Sequence, residues 1–337
     1  MNRHIDTLLI GKSLTKVQAK NACEAILNRS MPDDQITRLL VLLHTKKETQ
    51  DEISGFLEAI RETTMPFPLS DEPLMDVCGT GGDGLQTFNV STAVAFVLAS
   101  LKLRVAKHGN RGVSSKSGSA DVLKALRIRC DQTVEETLHS LEHYHLSFLF
   151  AQAFYPGLAK LASIRKSIDS PTLFNMLGPL LNPAPITHQL MGIYDQSLSA
   201  NAIEALKNRG VKAAFVVHGS DGLDELTLSG GTHVTELRNG SVRSFTLSPN
   251  DFNLKTAQLS EVKGGTPEEN ATLIRKIFAG EKSAKRDLVV LNAAAAIVLS
   301  DKELSYKNAV NLVCEAIDSG KTLAFLDSLQ INAGTAS

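Results

Sequence analysis

Tryptophan is absent from the 337-residue chain, and four tyrosines and thirteen phenylalanines are all its large aromatic side chains. So few flat rings argue against a stacking platform for bases or sugars. An excess of one charge sign is also missing, since 35 Lys and Arg nearly balance 36 Asp and Glu. No global field draws the chain to nucleic acid or a membrane, and only a local basic patch stays open. The four cysteines, Cys23, Cys78, Cys130 and Cys314, are scattered without CxxC or zinc-ligand spacing, which reads as reduced thiols in a cytoplasmic protein rather than a disulfide framework. The first six residues lack the basic-then-apolar layout of a signal peptide. The longest apolar stretch, 288–299, is broken by Asn292 and is too short and alanine-rich to cross a bilayer. No repeat or low-complexity tract is visible. The length suits one large domain, or a large and a small one.

What is present falls into two textures. Residues 1 to about 70 read as helices throughout. Thr15 with Gln18 and Thr49 with Glu52 form capping boxes, each ahead of an apolar stripe, and Ile36, Leu39, Leu40 and Leu43 repeat at helical spacing. Such amphipathic helices must bury their stripes, in a helical subdomain or a dimer interface. The 66–68 segment, Pro-Phe-Pro, reads as a linker. From about residue 72, strands and helices alternate: strands at 74–78, 104–107, 148–150, 189–194 and 213–218, helices at 91–101 and 120–126. The spacing predicts an α/β fold, a large domain with a mostly parallel sheet flanked by helices, plus a small all-helical part. Residues 156–182 return to helix texture, with one helix over 156–168, and could pack back on the first helices. Asn239-Gly240 marks a hairpin, and Thr266-Pro267 with Glu269 opens a run of C-terminal helices.

Four polar stretches carry the chemistry. In the first, a strand runs into GTGGDG (79–84), and order resumes at Asn89, Val90, Ser91 and Thr92 ahead of an apolar helix. Glycines let backbone N–H groups approach phosphate oxygens, and a helix start adds unpaired donors. Thr80, Asp83 and Thr87 among four glycines exceed what a tight turn needs, although the spacing is neither a P-loop nor a strict GxGxxG. The second stretch, 107–119, follows a strand and holds three cations and four serines. A mobile surface loop is its plain reading, and a lid over a polyanion is the sharper one, with Lys107 as a point charge. His108 alone reads as structural. The third, DGLDE (221–225), ends a strand; a solvated acidic turn is the alternative to a Mg²⁺ site, and the company of two phosphate-type loops favours magnesium. In the fourth, Arg165 precedes a sharp turn rich in glycine and proline, where an arginine could receive a carboxylate. No Ser/His or His/Asp pair suggests a dedicated general base.

In this order the motifs GTGGDGxxTFNVST (79–92), KHGNRxVSSKSGSADVL (107–123), TLFNMLGPLLNP (172–183), DGLDE (221–225) and GGTPEEN (264–270) resemble the anthranilate phosphoribosyltransferase family over essentially the whole chain. The resemblance implies a small helical domain formed by 1–70 with 156–185, a large α/β domain formed by 71–155 with 186–337, and homodimers through the helical part. It implies transfer of the phosphoribosyl group of phosphoribosyl pyrophosphate (PRPP) to the nitrogen of anthranilate, with Mg²⁺ and release of pyrophosphate, in tryptophan biosynthesis. Matched position by position, the PRPP contacts would be Gly79, Gly82, Asp83, Thr87, Asn89, Val90, Ser91, Thr92, Lys107, His108, Gly109, Asn110, Arg111, Gly112, Val113, Ser114, Ser115 and Ser119. The magnesium ligands would be Ser91, Asp224 and Glu225, and the anthranilate contacts Gly79, Asn110 and Arg165.

Three departures from the family pattern stand out. Gly112 replaces a serine. Tyr155 stands where a histidine is common, with Gln152 in place of a nearby proline. Pro171 stands where an arginine usually precedes TLFN. The last two lie near the expected aromatic-acid channel. The rival readings are a pyrimidine nucleoside phosphorylase, which should not need the Asp224-Glu225 pair, and a related phosphoribosyltransferase-like protein with another acceptor or with nucleic-acid binding, against which the neutral charge argues.

Overall fold

The computed structural model describes residues 3–64, 67–68, 72–110, 117–130, 132–159, 161–168, 170–301 and 303–333. Pro66, in the expected linker, lies outside them.

The N-terminal segment forms four helices: α1 (Arg3–Leu9), α2 (Lys16–Leu27), α3 (Asp33–Lys46) and α4 (Gln50–Arg61). Both capping boxes form at the starts of α2 and α4. Glu52 does more than cap. Its side chain is fully buried; Oε2 accepts from the Thr49 N–H at 2.8 Å and from Lys46 Nζ at 2.9 Å, and Oε1 accepts from the Leu14 N–H at 2.8 Å. A carboxylate that deep is tolerable because every partner is a donor, and it ties the chain before α2 to the start of α4.

The sheet has seven strands in the order β3-β2-β1-β4-β5-β6-β7. These are β1 (Met75–Gly79), β2 (Val105–Gly109), β3 (Leu146–Phe150), β4 (His188–Gly192), β5 (Ala213–Gly219), β6 (Thr232–Arg238) and β7 (Ser241–Leu247). The first five in sequence run parallel, and β6 and β7 close one edge antiparallel. The expected hairpin forms at Asn239-Gly240, both at positive φ, the geometry that matches the twist of the flanking strands. From the central β1 the chain moves outward through β2 and β3 on one side, then returns to β4 on the other. That reversal opens a crevice beyond the carboxyl ends of β1 and β4, where open α/β sheets bind ligands.

One apolar core packs α5 (Val90–Ser100) and α14 (Ala284–Ser300) on one sheet face. The alanine-rich run 288–299 is the buried body of α14. The second core joins the N-terminal helices to the opposite face, where Ala106, Leu149, Met191 and Val216 meet α11 (Leu173–Leu180) and α12 (Ser199–Asn208).

The reading of one helix over 156–168 needs correction. The segment is α9 (Pro156–Ala159) and α10 (Ala162–Lys166), preceded by α8 (Ala151–Phe154). Gly157 weakens the first piece, and α10 starts from Leu161 without a side-chain cap. Three helices were not expected from the sequence: α7 (Val134–Tyr144), despite its Thr133–Glu136 capping box, the short α8, and α12. The remaining helices are α6 (Ser119–Ala125), α13 (Pro267–Phe278), α15 (Tyr306–Asp318) and α16 (Lys321–Ala333).

Replacing Glu52 with alanine leaves the Lys46 ammonium and two buried N–H groups without their partner. The expected loss is about 3–5 kcal/mol of unfolding free energy, read as a lowered urea midpoint. A change within error would deny Glu52 its role as the tie.

Candidate active site

The site is built on strand ends. Beyond Gly79 the chain turns through Gly81, Gly82 and Gly84 at φ +63°, +81° and +70°, backbone that glycine adopts at no steric cost. It re-enters order at Asn89, the N-cap position of α5. Asparagine usually caps a helix with its own side chain. Here it does not: Asn89 Nδ2 donates to Ser117 O at 3.0 Å, and its Oδ1 accepts from Ser117 Oγ at 3.1 Å and from Asn270 Nδ2 at 3.0 Å. Asn89 therefore does not cap the first N–H groups of α5, at the positive end of the helix dipole; the Ser91 N–H bears instead on the Glu225 carboxylate. A pocket of about 280 Å³ opens beside them.

Asp224 and Glu225 line the same pocket from the turn after β5, 9% and 7% exposed. Asp224 Oδ2 accepts from the Gly81 N–H at 2.7 Å. Its backbone lies so tightly against β4 that a Cβ at Gly192 would stand 1.6 Å from Asp224 O. Burial, reinforced by the charges of Asp83 and Glu225, pushes the Asp224 carboxyl well above its ordinary pKa. Burial also pushes Glu225 up to about 7, against the pull of the Lys107 ammonium. Asp83 Oδ2 is buried without a hydrogen-bond partner. Among the described residues no ion pair neutralises these carboxylates, and no group of three or more His, Cys, Asp or Glu side chains forms a metal cage. An acidic, buried, under-neutralised pair facing a polar pocket fits a hard cation that completes its shell with ligand oxygens and water.

Lys107 and His108 end β2. Lys107 Nζ donates to Val77 O at 2.9 Å, beneath the glycine loop. The His108 N–H donates to Asp76 Oδ1 at 3.1 Å, and Nδ1 donates to Gly178 O at 3.0 Å. Burial lowers the His108 pKa to about 3, so the ring is neutral and its buried Nε2 keeps a lone pair with no partner. Ser119 Oγ donates to Asn110 O at 3.1 Å, holding the far end of this loop.

Arg165, on α10, reaches the opposite wall. Its guanidinium carbon lies 5.6 Å from the Phe174 ring centroid, and its Nε is buried without a hydrogen-bond partner. Burial lowers its pKa, and no carboxylate among the described residues pairs with it. Beside it is an annex of about 80 Å³, bounded by Gln152, Tyr155, Leu158 and Leu181 and sharing His108, Asn110 and Arg165 with the main pocket. The Tyr155 hydroxyl donates to Leu181 O at 2.7 Å, so it braces the end of α11. Pro171 lines neither space.

All the described residues matched to a ligand contact in the sequence line the main pocket: Gly79, Gly82, Asp83, Thr87, residues 89–92, residues 107–110, Ser119, Arg165, Asp224 and Glu225. Arg111, Gly112, Val113, Ser114 and Ser115 lie outside the described residues. The sequence reading gave no contact role to Phe174, Asn175, Gly178 and Pro179, which form the α11 wall. Their motif was visible, but nothing in its spacing says which way the helix faces.

This architecture is that of a two-part glycosyltransferase. The family described as "Glycosyl transferase family, a/b domain" matches residues 71–323, and "Glycosyl transferase family, helical bundle domain" matches 2–64. Anthranilate phosphoribosyltransferase of Petrotoga mobilis is 43% identical over 328 residues, covering 97% of this chain and 95% of that protein. The crystal structure of anthranilate phosphoribosyltransferase from Thermus thermophilus superposes with TM-score 0.90 at 35% identity, covering 99% of this chain and all of that one. The Saccharomyces cerevisiae enzyme in complex with PRPP and Mg gives TM-score 0.89 at 26% identity, over 99% and 97% of the two chains. The chain belongs to the anthranilate phosphoribosyltransferase family.

With a pKa near 3, His108 should stay neutral from about pH 5 to about pH 8, where a free imidazole titrates. Its ring ¹⁵N shifts should therefore stay flat across that range. A midpoint near that of free histidine would refute the buried, Nδ1-protonated ring.

Proposed function

We infer that this chain transfers the phosphoribosyl group of PRPP to anthranilate, giving N-(5-phosphoribosyl)anthranilate and pyrophosphate in tryptophan biosynthesis. The observation that carries this reading is a complementarity of unmet charge across one pocket. Buried carboxylates without a cation stand beside a helix start that its N-cap residue leaves open, and a half-buried guanidinium without a carboxylate stands on the opposite wall. The first pair suits a magnesium-bound pyrophosphate, and the second suits an aromatic acid.

The donor would rest on Gly79, Gly82, Asp83, Thr87 and residues 89–92, with residues 107–110 and Ser119 beside it. Ser91, Asp224 and Glu225 would hold Mg²⁺, whose charge would offset that of the departing pyrophosphate. Displacement at an anomeric carbon develops oxocarbenium character, so positioning and leaving-group stabilisation do more than a strong base. The N–H groups of α5 and Lys107 would take up phosphate charge. Gly79, Asn110 and Arg165 would hold anthranilate with its nitrogen toward C1. As the N–C1 bond forms and the C1–O bond breaks, the amine loses a proton. That proton would leave with the departing pyrophosphate, a stronger base than the His108 ring with its pKa near 3.

Residues 1–70 with 156–185 would move as one helical unit against 71–155 with 186–337, and closure would exclude water from PRPP. Two chains would pair through the helical unit. Supporting this, Ile10 and Val17 are 69% and 67% exposed on that side, with Leu9 and Val41 also exposed. Four cysteines with no disulfide among the described residues fit a cytoplasmic setting.

Anthranilate fluorescence should fall only when PRPP and Mg²⁺ are both present. Arg165→Ala should raise KM for anthranilate by roughly tenfold to a hundredfold, the worth of hydrogen bonds to a charged group. Asp224→Asn with Glu225→Gln should remove most of the magnesium response. Thymidine phosphorolysis without PRPP turnover would reject the assignment. Light scattering should give twice the 36.3 kDa chain mass; a monomer at working concentration would reject the pairing.

A further inference from the structure

The motif GGTPEEN (264–270) lines no part of the pocket, yet it sits directly behind it and reaches Asn89 through Asn270. Lys263 makes an isolated antiparallel bridge with Thr87, and the Gly264 N–H donates to Gln86 O at 2.9 Å. Here the two segments touch. A Cβ at Gly264 would lie 2.6 Å from the backbone of Phe88. Asn270, in the first turn of α13, is 2% exposed. Its Oδ1 accepts from the Gly265 N–H at 2.8 Å, and its Nδ2 donates to Asn89 Oδ1 at 3.0 Å.

That last bond bears on the donor site. An asparagine at an N-cap position ordinarily turns its side-chain oxygen onto the N–H groups of its own helix. The oxygen of Asn89 is instead engaged by Asn270 and Ser117. The cap that Asn89 could make and the anion that α5 could bind compete for the same N–H groups.

We propose that Asn270 is a positioning residue that, with Ser117, holds the Asn89 side chain away from the α5 N-terminus and so leaves that helix start accessible to the PRPP phosphates. The 263–270 segment is then a strut behind the glycine loop. Through Ser117, the same asparagine pair ties that loop to the end of the 107–119 loop. The proposal rests on the functional reading above. It adds that donor affinity is set partly by a residue touching neither substrate.

Without Asn270, Asn89 keeps only its two bonds to Ser117, so its oxygen turns more easily onto the α5 N–H groups, and PRPP must then displace that cap. A cap of ordinary strength corresponds to a penalty of about five- to tenfold in PRPP affinity. The test is a double-mutant cycle on PRPP affinity in the presence of Mg²⁺, by calorimetry and by KM. Asn270→Ala should raise KM for PRPP about five- to tenfold and leave KM for anthranilate within about twofold. In an Asn89→Ala background, where no cap can form, the same substitution should change PRPP affinity less than about twofold. Asn270→Gln, which keeps an amide donor, should recover part of the loss. Equal penalties in both backgrounds would overturn the proposal in favour of a general packing role, as would an equal rise in both KM values. An unchanged KM for PRPP in Asn270→Ala would overturn it outright. Wild-type protein without PRPP turnover would instead reject the functional reading, and the two failures are distinguishable.

Discussion

The rest of the structure depends on a helix that begins without a side-chain cap at the end of the central strand. β1 delivers the chain to the crevice, four glycines turn it, and α5 starts with Asn89 looking elsewhere. An uncapped start at a strand end is costly unless a ligand uses the donors. The fold accommodates it by burying nearly the whole body of α5 against α14 and the sheet. Packing, rather than capping, holds that helix in place, which frees its first turn for binding.

The same exchange of local stability for binding recurs around the pocket. Asp224 and Glu225 are buried, and burial together with neighbouring carboxylate charge raises the proton affinity of both. Arg165 is half-buried over an aromatic face, with a buried Nε that has no hydrogen-bond partner. Each is unfavourable alone. Together they define which charges a ligand must bring: positive beside the carboxylates, phosphate at the helix start, carboxylate at the guanidinium. The close fit of the Asp224 backbone against Gly192 keeps the acidic turn from relaxing outward.

The α11 wall is held from both sides. Arg61, at the end of α4, donates to Leu180 O at 2.8 Å, and Arg209, just past α12, donates to the carbonyls of Leu180, Asn182 and Ala184. Two half-buried arginines at the negative end of that helix satisfy its last carbonyls and complement its dipole. They also join the N-terminal helices to the sheet layer through the element that carries Phe174 and Gly178. The annex beside Arg165 therefore inherits its shape from both layers, with the Tyr155 hydroxyl bracing the same helix end.

Much of this was legible in the chain. Capping boxes at Thr15, Thr49 and Thr266, the Asn239-Gly240 turn and the alternation of strands and helices are local signals, and local backbone preferences are read from neighbouring residues. The glycine loop and the acidic turn were legible for the same reason, as was the full-length motif series that identified the family. The segment 156–168 was not, because short uncapped helices are set by what they pack against. Nor were the wall residues Phe174, Asn175 and Gly178, since a motif does not say which face of its helix meets a ligand. By itself, the sequence determined which residues can bind phosphate, metal and carboxylate, because that follows from side-chain chemistry and turn geometry. Only the tertiary structure decided that these groups share one pocket, that their charges stay unpaired, and that Asn89 leaves its own helix uncapped. Each of those depends on burial and on contacts between residues far apart in the chain.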